Sequence, residues 1–158
     1  RKCVHMMQLA LIKIKKQIIY IFILSLASWF SSQSTDFDRL DKMRLKLESH
    51  INNGRTPKCI HLQCFLAEFP KIRNNVEQSE WANELLFKLL AKFPEQTVIA
   101  ISRLGGQQQE FIYNELSRPI HDGIDISLIY DKLKSCEFNK SGQSLVHERV
   151  LDILNRLK

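Results

Sequence analysis

Two short clusters in this 158-residue chain carry residue types that do chemistry. Cys59, His61 and Cys64 form a C-x-H-x2-C run, and thiolates with an imidazole suit zinc. A fourth ligand would have to come from far along the chain, from His121, His147 or Cys136. On a helix, positions 61 and 64 share a face while 59 points elsewhere, so the run is not a ready-made site. The second cluster is His121-Asp122-Gly123 with Asp125 close behind. A histidine beside two carboxylates has the makings of a general base or a cation site. The same residues also punctuate the chain: Pro119 ends one helix, Asp122-Gly123 turns, and Asp125 caps the next helix.

Other acidic and histidine groups lack the spacing their chemistry needs. Asp36, Asp38 and Asp41 have neither the glycine nor the terminal glutamate of a calcium loop, and acids in a first helical turn answer the macrodipole. His147-Glu148 begins an H-E-x-x-H pattern, but Leu151 occupies the second histidine position. No G-x-S-x-G, P-loop or G-x-G-x-x-G occurs. The sequence therefore assigns no catalytic residue, metal site or cofactor. Cys59, His61, Cys64, His121, Asp122 and Asp125 are the candidates for a small metal-dependent or hydrolytic enzyme, the alternative to a binding protein.

Positioning these residues falls to helices. Thr35 with Asp38 resembles a capping box. Leu40, Met43, Leu47 and Ile51 follow at helical spacing, and Asn52-Asn53-Gly54 supplies the stop. Thr56-Pro57 reads as an N-cap with proline in the first helical position, opening a helix that presents Leu62, Phe65, Leu66 and Phe69 and ends at Pro70. Asn75 with Gln78 opens the clearest helix, whose stripe is Ala82, Leu85, Leu86, Leu89, Leu90 and Phe93. Trp81, beside that stripe, is expected to pack on the core. Thr97–Leu104 is β-branched enough for a buried strand, yet the Pro-Glu start and the Gly105-Gly106 stop favour a short helix. Further helices are expected over Gln107–Leu116, with a solvated Gln107–Gln109 start, over Asp125–Ser135, and over Ser144–Leu157.

Leu66-Ala67-Glu68-Phe69-Pro70 and Leu90-Ala91-Lys92-Phe93-Pro94 repeat one pattern: Leu-Ala-charged-Phe-Pro. With helix-pair starts near 58, 95 and 125, residues ~57–158 resemble helix-pair repeat proteins of the HEAT or armadillo kind. The resemblance implies a stacked helical surface that binds proteins. The fold class is all-α: antiparallel helix pairs forming either a short HEAT-like solenoid or an irregular helical bundle.

The N-terminal part is of a different character. Lys13, Lys15 and Lys16 precede the apolar run Ile18–Phe30, and Ser31, Ser32, Gln33 and Ser34 follow it, the layout of a secretory signal peptide. The run is shorter than the roughly 20 residues a helix needs to cross a bilayer. Ser32 and Ser34 suit the −3 and −1 positions of a cut before Thr35, and Met6 or Met7 suits a start. The expected organisation is a signal peptide over 1–34 and one helical domain over 35–158. The alternative is an uncleaved anchor through residues 13–30 that holds 35–158 outside the cytoplasm.

Five of the six formal net positive charges sit in that leader. Arg1, Lys2, Lys13, Lys15 and Lys16 are five of the 23 basic residues, and all 17 acids follow residue 35. The remainder carries 18 basic and 17 acidic side chains, a net of +1 with the signs interspersed, which disfavours a nucleic-acid partner. Cys59, Cys64 and Cys136 remain after the leader. They are either three small buried residues or one bridge from Cys136 to Cys59 or Cys64 with one thiol left over. Asn139-Lys140-Ser141 is a glycosylation sequon where a eukaryote makes the chain. The expected function is an exported, non-enzymatic protein that binds another protein, with a periplasmic inhibitor or immunity-type protein as one form and a membrane-tethered assembly subunit as another.

Overall fold

A computed structural model describes residues 38–121 and 123–158, all in helices, turns and loops with no strand among them. The leader, its cleavage site, Thr35, Asp36 and Asp122 lie outside the described residues. The chain divides into a unit over 1–39 and a unit over 40–158. Seven α-helices are described: α1 (38–52), α2 (Cys59–Glu68), α3 (Val76–Lys92), α4 (Pro94–Ser102), α5 (Gly106–Leu116), α6 (Ile126–Lys134) and α7 (Ser141–Asn155). No described helix is long and apolar enough to cross a membrane.

Most helix boundaries follow from local chemistry. Gly54 takes a positive φ of 62° just past α1, a conformation glycine adopts without strain. Asn75 caps α3 by accepting from the Gln78 N–H at 3.1 Å, and Asp125 caps α6 by accepting from the Leu128 N–H at 2.9 Å. In both halves of the Leu-Ala-charged-Phe-Pro echo the phenylalanine is buried. The proline that follows starts a new helical piece: Pro70 a 3₁₀ turn over Phe69–Ile72, Pro94 helix α4.

The start of α2 corrects one expectation. Thr56-Pro57 does not open the helix: Lys58 is the N-cap, with extended backbone, and its carbonyl accepts from His61 N at 2.9 Å. Pro57 is buried, which holds the chain extended up to the cap. A second correction concerns Gln107–Gln109. Gln108 is half-buried, accepts from the Gly105 N–H at 3.2 Å and donates to the Ala67 carbonyl at 3.4 Å, so it ties the start of α5 to α2.

The segment poised between strand and helix is helix α4. It packs against α2, α3, α5, α6 and α7, with Thr97, Val98, Ala100 and Ile101 buried. A helix surrounded by others can be apolar on every side, which is why its sequence reads like a buried strand. The Thr97 hydroxyl is satisfied by donating to the Phe93 carbonyl at 2.8 Å. Around α4, one continuous core takes Leu40 and Leu47 from α1, Leu62, Phe65 and Leu66 from α2, and Val146, Val150 and Leu154 from α7. Trp81 is half-buried as expected: its ring stacks on Phe65 at 6.4 Å, and the Arg44 guanidinium covers it at 5.3 Å.

Candidate binding groove along α3

Beside its core stripe, α3 presents a second face on which two apolar residues sit among charged ones. Glu84, Phe87, Lys88, Ala91 and Lys92 recur at the i, i+3, i+4, i+7 and i+8 positions of one face. They line two adjoining cavities of about 440 and 310 Å³ that share Lys88 and Ala91. The larger is closed on its far side by His121, Gly123 and Ile124 of the α5–α6 linker and by Asp125, Leu128 and Ile129 at the start of α6. The smaller is closed by Glu48, Ile51 and Asn52 at the end of α1. From Glu84 to Lys92 is eight steps of about 1.5 Å, so the two cavities, here called the α3 groove, flank about 12 Å of α3. Phe87 is fully buried beneath it, and the exposed Leu128 stands at its edge.

Polar groups rim this apolar floor. Glu84 Oε1 pairs with Lys88 Nζ at 2.7 Å, and Glu84 Oε2 lies 3.8 Å from His121 Nε2. The hydrogen bond from Lys88 holds the Glu84 carboxyl below its usual range against a smaller opposing effect of burial, and the nearby His121 adds to the lowering. Lys132 Nζ reaches across from α6 and donates to the Ala91 carbonyl at 2.8 Å, a cation placed on the C-terminal turn of α3.

The position of His121 depends on Asn83, which is fully buried on α3. Its side-chain amide donates to the Glu115 carbonyl at 3.0 Å and to Glu115 Oε2 at 3.1 Å. Its amide oxygen accepts from the Ile120 N–H at 3.4 Å. One buried amide thereby ties α3 to the end of α5 and to the residue preceding His121.

Of the residues singled out from sequence, His121 and Asp125 come together at this groove, while Asp122 lies outside the described residues. The Asp125 carboxylate caps α6. Cys59, His61 and Cys64 lie elsewhere, on α2, and all three are half-buried. His61 turns toward α1, with Nε2 3.1 Å from Lys46 Nζ and its ring 6.5 Å from that of His50. Among the described residues no three His, Cys, Asp or Glu side chains are grouped to hold a metal ion. Cys59, Cys64 and Cys136 are free thiols. Burial pushes the Cys136 thiol up, with Glu95 adding to it, so this cysteine is a poor nucleophile. His147 sits against the Phe138 ring at 4.7 Å with Nε2 2.8 Å from the Leu133 carbonyl, a packing role.

The groove residues that sequence reasoning passed over are Glu84, Phe87, Lys88, Ala91 and Lys92. A signal was present: Phe87 and Ala91 lie off the leucine stripe of α3 and give that helix apolar residues on a second side.

The His61 arrangement yields a pH dependence. Nδ1 of His61 is buried without a hydrogen-bond partner. Burial first, then Lys46, His50 and Lys58, lower its pKa below the usual 6.5. The unfolded chain therefore takes up the proton at higher pH than the folded one. Stability is undiminished above about pH 6.5, falls as the pH drops below it, and levels off once the pH is below the folded value. Urea midpoints between pH 7.5 and 5 are expected to fall in the parent protein and to stay flatter in His61→Gln. Equal slopes would contradict this role.

Compared with models of known protein families, with curated protein sequences and with solved structures, the chain matches none.

Proposed function

We propose that this chain is an exported, non-enzymatic helical protein that binds another protein, and that it does so through the α3 groove. The observation that carries the reading is the pair of adjoining cavities sharing Lys88 and Ala91. An apolar groove beside a helix is the ground on which an amphipathic segment of a partner docks, and a small residue at its centre lets that segment's backbone come close. Export rests on the basic, apolar and serine-rich succession of residues 13–34. A periplasmic inhibitor or immunity-type protein is the form we favour. A subunit tethered through residues 13–30 is the variant that retains its leader.

Of the two architectures, solenoid and irregular bundle, the bundle has more support. In a solenoid each repeat touches only its neighbours, whereas α4 touches five other helices, α7 among them.

The test is recovery of a partner by the purified mature domain. One partner is expected in stoichiometric amount, lost when Ala91→Trp fills the groove or Leu128→Glu charges its edge. Recovery unchanged by both substitutions, or no partner at all, would contradict the reading.

A second reading has its own observation, the 3.8 Å approach of His121 Nε2 to Glu84 Oε2 beside the larger cavity. An imidazole near a carboxylate at the edge of a cavity has the residue types of a general base. That enzyme reading requires an ester or amide hydrolysis that His121→Gln abolishes. Equal rates in the parent and His121→Gln proteins would remove it.

A further inference from the structure

We infer that Lys46, His50, Lys58 and His61, where α1 meets the start of α2, form a binding site for a phosphate group. These side chains converge from two helices. Lys46 Nζ lies 3.1 Å from His61 Nε2, and the His50 and His61 rings are 6.5 Å apart. His50 Nδ1 donates to the Arg55 carbonyl at 3.0 Å, which holds its ring in place. Lys58 is the N-cap residue of α2. The groups that act electrostatically on the His61 ring are Lys46, His50 and Lys58, with no acid among them. No aspartate or glutamate occurs between Glu48 and Glu68. Glu48 itself is turned about 200° from Lys46 around α1, whereas His50 follows Lys46 on one face. Neither Lys46 nor Lys58 pairs with a carboxylate among the described residues.

Like charges are thus gathered where the backbone adds to them. Helix α2 begins with no side-chain cap and no acid in its first turn, and its dipole leaves that end positive. The Lys46 ammonium can only donate, so His61 Nε2 accepts and the ring proton sits on Nδ1, buried and without a partner. A phosphate between the two lysines offers Lys46 a stronger, charged acceptor. Nε2 of His61 is then free to take up a proton from solvent and to donate in turn. The protonated ring is matched by the anion instead of being opposed by three basic groups. Anion binding and proton uptake are therefore linked, each favouring the other.

Sulfate, which mimics phosphate and stays doubly charged near neutral pH, is the first probe, added to the full chain at constant ionic strength. The His61 ring signals, identified by their loss in His61→Gln, are expected to move saturably with millimolar sulfate. They are also expected to titrate at higher pH in its presence, and the fall in urea midpoint toward pH 5 to shrink. In Lys46→Gln/Lys58→Gln the affinity for sulfate is expected to drop by about tenfold or more. The same variant is expected to gain stability at pH 5 in chloride, because like charges have gone, and that gain shows that it folds. A response to sulfate that does not saturate, survives in the double variant or leaves the His61 titration unmoved would overturn the site. Pyrophosphate and phospholipid vesicles identify the source. Saturable binding of pyrophosphate, with no preference for anionic over neutral vesicles, assigns a soluble phosphate ligand. A preference for anionic vesicles that the double variant lacks assigns a lipid headgroup. Failure of both would overturn the phosphate assignment.

Discussion

Replacing Phe69 with alanine is expected to lower the stability of the folded protein by about 3–5 kcal/mol, the cost of emptying a large buried aromatic site. Phe69 has no exposed surface, and its ring stacks on Phe65 at 5.9 Å and meets Phe111 edge-on at 5.4 Å. Those contacts join α2 to α5 at the turn where Pro70 interrupts α2. Truncation leaves a cavity beside Phe65, which in turn supports Trp81 of α3. Phe69→Leu, which keeps most of the volume, is expected to cost under about 1.5 kcal/mol. Urea unfolding distinguishes the two. Equal, small losses would mean that the aromatic cluster is not the joint between these helices.

The second large effect belongs to Asn83. Asn83→Leu keeps the approximate size but removes the acceptor of the Ile120 N–H and one donor of the Glu115 carbonyl. That carbonyl keeps the Arg118 N–H at 3.2 Å, so the loss is expected at the lower end of the roughly 1–3 kcal/mol that an unmade hydrogen bond costs. Asn83→Asp is the sharper variant. It keeps an acceptor for Ile120 but replaces the amide donor with a carboxylate, where the amide nitrogen had sat 3.1 Å from Glu115 Oε2. Two carboxylates at that separation do not both ionise comfortably. The aspartate protein is expected to be the less stable of the two at pH 7 and to regain stability relative to Asn83→Leu toward pH 4. Because the Ile120 contact positions the residue preceding His121, both variants are also expected to recover the groove's protein partner less well.

Helix α3 shows how far the sequence could be read. Its N-cap at Asn75, its leucine stripe and its end before Pro94 are local signals, and all three are found in place. The choice of helix for the Thr97 region rested on Pro94 and the paired glycines, and those outweighed its β-branched residues once the helix was surrounded. Pro57 misled because proline accommodates the extended backbone before a helix as readily as its first turn. The groove was not legible. Position 91 looks like any alanine on a helix until α1 and α6 close on either side of it, and those elements lie some 40 residues away in each direction along the chain. His121 and Asp125 were noticed for their types, but their companion Glu84 sits on another helix and carries no local mark. The Asn83 clamp was equally invisible, since an asparagine inside a helical pattern reads as a surface residue until its partners across 32 and 37 residues are known.

Whether a protein partner occupies the α3 groove is decided most directly by site-specific photocrosslinking in the producing cells. A benzophenone side chain at exposed Lys92 marks the groove rim, and one at exposed Leu145 on α7 serves as the control. A single discrete adduct from position 92, absent from position 145, is the predicted result. An adduct from position 145 alone, or none from either, would contradict the assignment.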